Sequence, residues 1–154
     1  MIAHGYNHIY RGGKIQGTAG WFESLGMKPG KLHAWLASLT ELAAGAALVV
    51  GLLTPFAAGA LIGIVLVAFI TNHLHAGFFV FRRPTEGWEY LMNLAAAFFA
   101  IGVLGPGKWS LDNAIDYEPT FSAAMWITLI IGVGGAVSLL AVFWRPPAKA
   151  PVES

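Results

Sequence analysis

Residues 32–75 read LHAWLASLTELAAGAALVVGLL, then Thr54-Pro55, then FAAGALIGIVLVAFITNHLH. Each apolar run is close to the roughly 20 residues that an α-helix needs to cross the hydrocarbon core of a bilayer. Proline fixes φ and has no N–H to donate, so it is accepted at the first turn of a helix and disfavoured inside one. Because only a two-residue link separates the runs, we predict two antiparallel transmembrane helices, at about 32–53 and 56–75.

Two further apolar runs follow this hairpin. One covers about 87–104 and stops at a Gly-Pro-Gly sequence, and the other covers about 121–144 and stops at Arg-Pro-Pro. Glycine and proline are common where helices end, because one allows a left-handed turn and the other cannot continue the hydrogen-bond ladder. The sequence therefore predicts an all-α transmembrane helix bundle of four spans. It forms a single membrane-embedded domain over 1–145, with a polar tail at 146–154.

The composition agrees with a chain embedded in lipid. Of the 154 residues, 56% are hydrophobic and 11% are charged, against about 25% charged in a typical soluble domain. The lack of cysteine excludes disulfides, thiolate nucleophiles and cysteine-ligated metal centres in this chain. The net charge is +1 and no Lys/Arg-rich run is present, so we expect the lipid bilayer and not nucleic acid as a partner.

The amino-terminal part is less apolar. His4, His8 and Arg11 share one helical stripe, and the segment over 1–14 is too short and too polar to span a bilayer alone. It is either an interfacial or re-entrant helix, or the remnant of a spanning helix that begins upstream. We favour the second interpretation, in which the amino terminus is truncated. The link over 12–31 carries a Trp-Phe pair, and we expect it on the membrane surface, where such rings accumulate.

The spans alternate in direction, so each loop belongs to one of two membrane faces. We call the face with the 12–31 link the B face and the opposite one the A face. Only Lys108 falls on the A face. The other cations fall on the B face: Arg11, Lys14, Lys28, Lys31, Arg82, Arg83, Arg145 and Lys149. Since cytoplasmic loops carry an excess of Lys and Arg, we predict a multi-pass cell-membrane protein with the B face and the carboxyl-terminal tail in the cytoplasm.

Polar side chains also gather in the B half of the predicted bundle. Glu41 lies about two turns into the first span among leucine and alanine, and a charge at such depth costs about 3 kcal/mol unless it is paired or wetted. We expect it to face the interior, beside polar residues of the next two spans. The candidate cofactor-binding pocket comprises Glu41, Asn72, His75, Glu89 and Asn93.

Other interpretations of the polar residues stay open at this point. In one interpretation the glutamates line a functional pocket for a quinone head group, a proton or a small polar ligand. In the other they are structural residues held by hydrogen bonds from neighbouring helices. His73 and His75 also fit ordinary interfacial histidines, and His4 and His8 fit exposed helix residues. No HxxxE or ExxH motif is present, so we predict no metal site.

Motifs along the chain resemble the DoxX family of small membrane proteins. They run from His4-Gly5 through Trp21-Phe22 and the helix with Glu41 to Glu86-Gly87-Trp88-Glu89, and they end at GPGKWSLD, residues 105–112. The GPG-x-x-SLD pattern and the two helix glutamates are the most specific parts. The resemblance covers about 4–114, so the helix at 121–144 is an addition to the family core.

The resemblance implies a four-helix membrane bundle similar to the small subunit of thiosulfate:quinone oxidoreductase. It places Glu41, His75 and Glu89 at the family's polar positions, and it implies association with redox enzymes and a quinone as candidate cofactor. The sequence departs from the family where a first spanning helix should precede His4-Gly5, and where Pro55 replaces a basic residue. In the family, a basic residue in the turn at Pro55 implies that the A face is cytoplasmic. We predict the opposite orientation, because most of the Lys and Arg residues of this chain fall on the B face.

Two functional interpretations follow. In the first, the chain is the membrane subunit or docking partner of a quinone-linked redox system, with other subunits or further copies as partners. The glycines at 59 and 63 and at 132–135 indicate close helix packing for such an assembly. In the second, it is a non-redox carrier of a small polar solute or a passive anchor. Carriers usually have inverted repeats and broken helices, which the sequence lacks. We favour the first, and we do not expect catalysis by this chain alone.

Overall fold

The computed structural model describes residues 1–81 and 86–147, and all of their regular elements are helices. The prediction of an all-α bundle is confirmed. The helices are α1 Ile2–Tyr10, α2 Lys14–Ser24, α3 Gly30–Val50, α4 Thr54–His73, α5 Glu89–Leu104, α6 Leu111–Ala114 and α7 Phe121–Phe143. Helix α4 ends in a π-helical turn at Phe69–His73, and α7 has one in its middle at Ile130–Gly134. The predicted positions of Arg82, Arg83, Lys149 and the end of the tail lie outside the described residues.

Three helices, α3, α4 and α7, are long and apolar enough to cross a bilayer. The span predicted at 87–104 is shorter: α5 has 16 residues, or about 24 Å, against a hydrocarbon core of about 30 Å. The described residues at the two ends of the connection before α5 pair with each other. The Trp88 N–H donates to the Gly77 carbonyl at 3.0 Å, and the Glu89 N–H to the Phe78 carbonyl at 2.9 Å. Irregular backbone at membrane depth requires such pairing.

Helix α4 is the centre of the bundle and contacts α3, α5 and α7. Its contact with α7 is close because glycines face each other. A Cβ on Gly59 would lie 2.8 Å from the Thr128 carbonyl oxygen, and one on Gly132 would lie 2.8 Å from Cγ2 of Ile62. The close helix packing predicted for these two glycines is confirmed within the chain, whereas a Cβ on Gly134 or Gly135 would meet no described atom within 4 Å.

The amino-terminal helices both pack on α3. Ile2 lies beside Gly45, and Gly5 lies beside Ser38, so α1 runs antiparallel to α3. Helix α2 buries Ile15 and Phe22. The link that we predicted on the membrane surface therefore contains a helix that is part of the bundle.

The carboxyl end of α7 is fastened to the loop between α2 and α3. The Arg145 N–H donates to the Gly26 carbonyl at 2.9 Å, and the Trp144 indole donates to the Leu25 carbonyl at 2.9 Å. Met27 forms an isolated antiparallel bridge with Trp144. These contacts put the end of α7 and the 12–31 link at one end of the bundle, as alternating span directions require.

At the other end, Asp112 fastens α6 to the turn between α3 and α4. Its carboxylate is buried. Oδ1 accepts from the Leu53 N–H at 2.6 Å, and Oδ2 accepts from the Thr54 N–H at 2.9 Å and the Thr54 hydroxyl at 2.7 Å. The Asp112 N–H in turn donates to the Gly51 carbonyl at 2.8 Å. The GPG-x-x-SLD segment thus holds the α3–α4 hairpin in place, and burial raises the pKa of the nearby Tyr117 hydroxyl, with a further contribution from the Asp112 charge.

Candidate ligand-binding cavity

A cavity of about 580 Å³ lies in the B half of the bundle, between α1, α2, α3, α4, α5 and α7. We call it the B-half cavity. Its volume is within the 300–1,000 Å³ typical of small-molecule sites. Most of the residues in its wall are non-polar, and leucine, isoleucine, valine and alanine are the commonest of them. The polar side chains in the wall are His4, His8, His33, Thr40, Glu41, Thr71, Asn72, His73, Glu86 and Tyr90.

Glu41 points into the bundle because of its place on the buried stripe of α3. His33, Ala37, Glu41 and Gly45 are spaced by four residues and all are buried, as residues on one face of a helix are. The Glu41 residue is only 3% exposed. The prediction that Glu41 faces the interior is confirmed.

Glu41 lies next to His8 of α1. Nδ1 of His8 and Oε2 of Glu41 are 3.2 Å apart, close enough for an ion pair when His8 is protonated. Their relative orientation does not make a hydrogen bond, and both atoms are buried without a hydrogen-bond partner among the described residues. The short distance and the missing hydrogen bond together mean that this contact only partly satisfies either group.

His33 adds a third buried polar atom without a partner. The residue is 2% exposed, and its Nε2 has no hydrogen-bond partner in the described structure. Its ring contacts Phe143 of α7 edge-on at 5.0 Å between centroids. Each buried polar atom left unpaired costs about 1–3 kcal/mol, and native structures keep few of them without a functional reason. The B-half cavity therefore has unused hydrogen-bonding capacity next to an apolar wall.

A second polar group lies where the cavity approaches the B face. Nδ1 of His73 is 2.9 Å from the Glu86 carbonyl oxygen, which can only accept, so Nδ1 carries a hydrogen. In the neutral ring Nε2 is then the acceptor, and it lies 3.0 Å from both the Tyr90 hydroxyl and the Asn72 amide nitrogen. The π-helical end of α4 is thereby tied to α5 and to the connection before it.

The structure brings together only part of the predicted pocket. Glu41 and Asn72 line the B-half cavity, whereas His75, Glu89 and Asn93 are not in its wall. His75 and Asn93 are exposed, so the expectation that they point inward is wrong; Asn72 is exposed as well, although it lines the cavity. Glu89 is half-buried and accepts a hydrogen bond from the Val80 N–H at 3.3 Å.

Helix geometry explains why these residues face elsewhere. The buried stripe of α5 contains Leu91, Phe98 and Gly102, and Asn93 is two residues from Leu91, which is about 200° around the helix. His75 follows the π-helical turn that ends α4 at His73, so it is no longer on the face that α4 presents to the interior.

The predicted pocket missed four histidines in the wall, His4, His8, His33 and His73, and a sequence signal was present for His8 and His33. His33 is eight residues before Glu41 and therefore belongs to its helical stripe. His8 is three residues after Gly5, and a glycine marks the side of a helix that packs closest to its neighbour. For His73 the sequence offered no comparable signal.

One family model matches the chain: the model described as DoxX covers residues 1–74. The matched segment contains α1 to α4 and, with them, His8, His33, Glu41 and His73. No curated protein and no solved structure matches the chain significantly.

Proposed function

Because the chain belongs to the DoxX family of membrane proteins through residues 1–74, we propose that it is the membrane subunit of a redox system and that the B-half cavity binds a quinone. The match supports the family, and the sequence resemblance to the small subunit of a quinone-linked oxidoreductase supplies the ligand class. We further propose that the B face is cytoplasmic, because most of the cations are predicted to lie there.

The observation that carries this proposal is the set of unpaired atoms in an apolar cavity: Nδ1 of His8, Nε2 of His33 and Oε2 of Glu41. A quinone is a flat apolar ring with polar oxygens at its edge, and it reaches its site from the lipid phase. Its ring suits the apolar wall, and its oxygens can accept a hydrogen bond from an N–H at Nδ1 of His8 or Nε2 of His33. Pockets that pair a mostly apolar wall with a few placed polar groups are the usual form of small-molecule sites.

Electrons have to come from a partner. A quinone that accepts two electrons and two protons becomes a quinol. His8 and Glu41 are groups that can hold and pass protons at the ligand oxygen. The chain has no cysteine, and its described residues contain no group of three His, Cys, Asp or Glu that could hold a metal. We therefore propose that a redox-active partner subunit is the electron donor.

The alternative is a non-redox carrier or a passive anchor. In the described structure α3, α4 and α7 pass the cavity without interruption, although α4 and α7 contain π-helical turns. A passive anchor does not require a buried carboxylate whose Oε2 lacks a hydrogen bond, since such a group lowers stability. Both points favour the subunit function.

The test is direct binding of decylubiquinone to the purified chain in lipid nanodiscs. Binding is monitored by the quenching of tryptophan fluorescence, since Trp21 lies in the cavity wall. We expect saturable binding that His8→Phe weakens about fivefold, because an N–H at Nδ1 of His8 would donate to a quinone oxygen and a typical hydrogen bond contributes about 1 kcal/mol. The matched control is His75→Phe, the same change at an exposed residue outside the cavity wall. Absence of saturable binding, or equal weakening by both variants, would refute the proposed site.

A further inference from the structure

The unpaired atoms in the B-half cavity differ in what they can bond. An ionised carboxylate such as Glu41 only accepts hydrogen bonds, whereas a neutral histidine ring such as His8 has one nitrogen that donates and one that accepts. Oε2 of Glu41 and Nδ1 of His8 are 3.2 Å apart. Both atoms are buried, so a single small polar group that enters beside them from the cavity would contact both, and its chemistry has to match both.

A hydroxyl group matches this pair, and a carbonyl group does not. A hydroxyl donates its hydrogen to Oε2 of Glu41 and accepts from an N–H at Nδ1 of His8. A carbonyl oxygen can only accept, so it leaves the Glu41 oxygen buried and unpaired. Sites built to bond a ligand hydroxyl reject analogues that lack it, because the protein's own polar groups are then left without partners.

We propose that Glu41 and His8 bind a ligand hydroxyl, and that the B-half cavity accordingly prefers the quinol to the quinone of the same ring. This inference rests on the proposed function and specifies which form of the ligand the site holds. Glu41 sets the preference through its acceptor oxygen, and His8 fixes where the hydroxyl lies. The site then stabilises the product of quinone reduction, and that product leaves for the lipid phase.

The experiment compares three ligands with one tail on the full chain in nanodiscs under anaerobic conditions: decylubiquinol, decylubiquinone and the dimethyl ether of the quinol. We expect the quinol to bind about tenfold more tightly than the quinone, the difference that one charge-assisted hydrogen bond makes. The ether keeps the ring and tail but has no hydroxyl hydrogen, so we expect it to lose the advantage.

Two variants assign the preference to Glu41. Glu41→Gln offers an amide that can both donate and accept, so the ratio of quinol to quinone affinity should fall to about one, whereas Glu118→Gln, the same change at an exposed residue of the A face, should keep it. His8→Phe, which retains the Glu41 acceptor, should weaken quinol binding and leave some preference. Equal binding of quinol, quinone and ether by the unmodified chain would overturn this inference and leave the proposed site intact. If neither redox form binds, both proposals fail.

Discussion

Asp112→Asn is expected to lower the thermal unfolding midpoint of the chain in detergent by roughly 10 °C. The wild-type carboxylate accepts three hydrogen bonds, from the Leu53 N–H, the Thr54 N–H and the Thr54 hydroxyl. Asparagine keeps one acceptor oxygen and turns an NH₂ group toward donors. At least one of these three donors then has no acceptor. We expect a loss of about 3 kcal/mol, since hydrogen bonds to charged groups contribute about 1.5–3 kcal/mol each.

The control for this variant lies four residues away. Asp116 is exposed and has φ of +55°, a conformation that asparagine tolerates as well as aspartate does. Asp116→Asn removes the same charge and should leave the midpoint unchanged within error. Circular dichroism during heating of the two purified variants gives the comparison. Similar midpoints for both would mean that the contacts of Asp112 contribute little to the stability of the α3–α4 turn.

The turn that Asp112 holds has little freedom of its own. Gly51 ends α3 at φ of +62°, in the left-handed region that favours glycine. A Cβ there would be 2.5 Å from Cβ of Ser110. The two parts of the chain are therefore fitted to each other, although about sixty residues separate them. The sequence resemblance singled out GPG-x-x-SLD, which lies beyond the residues 1–74 that the family model matches, and no local rule connects it to Thr54.

The helices could be predicted because their signal is local. Apolar runs bounded by Gly and Pro placed α3, α4 and α7 within about three residues of their observed ends. The direction of Glu41 was also predictable, since residues four apart share a face of α3. The length of α5 was overestimated because Gly87 and Trp88 are apolar and extend the apolar run. Both belong to the preceding connection, because their backbone N–H groups donate to carbonyls in that connection.

The candidate pocket was only partly predictable because it depends on how helices face each other. His8 meets Glu41 across the α1–α3 contact, and a pattern within one helix cannot reveal that pairing. Each π-helical turn adds one residue to a helix and shifts the residues after it by about 100°. The turn at Phe69–His73 makes such a shift at the end of α4. A projection with a constant 3.6-residue repeat consequently misassigned His75.

The close contact between α4 and α7 leads to the other large expected effect. Gly132→Leu should lower the unfolding midpoint by roughly 10 °C, from a cost of about 3 kcal/mol or more for overpacking a filled interface. A Cβ on Gly132 would already lie 2.8 Å from Cγ2 of Ile62 and 3.0 Å from the carbonyl oxygen of Gly59. A backbone oxygen cannot rotate away, so α7 has to move off α4.

Gly134→Leu separates this packing effect from the change in helix propensity. Gly134 lies two residues further along the same helix, is exposed, and would place its Cβ in open space. Leucine is a better helix former than glycine by about 0.8 kcal/mol, so this variant should unfold at the wild-type midpoint or slightly above it. Because Ala136 and Leu139 of α7 line the B-half cavity, Gly132→Leu should also reduce decylubiquinone binding, while Gly134→Leu should not. Equal stability of the two variants would show that α7 is not held to α4 by the contact between Gly59 and Gly132.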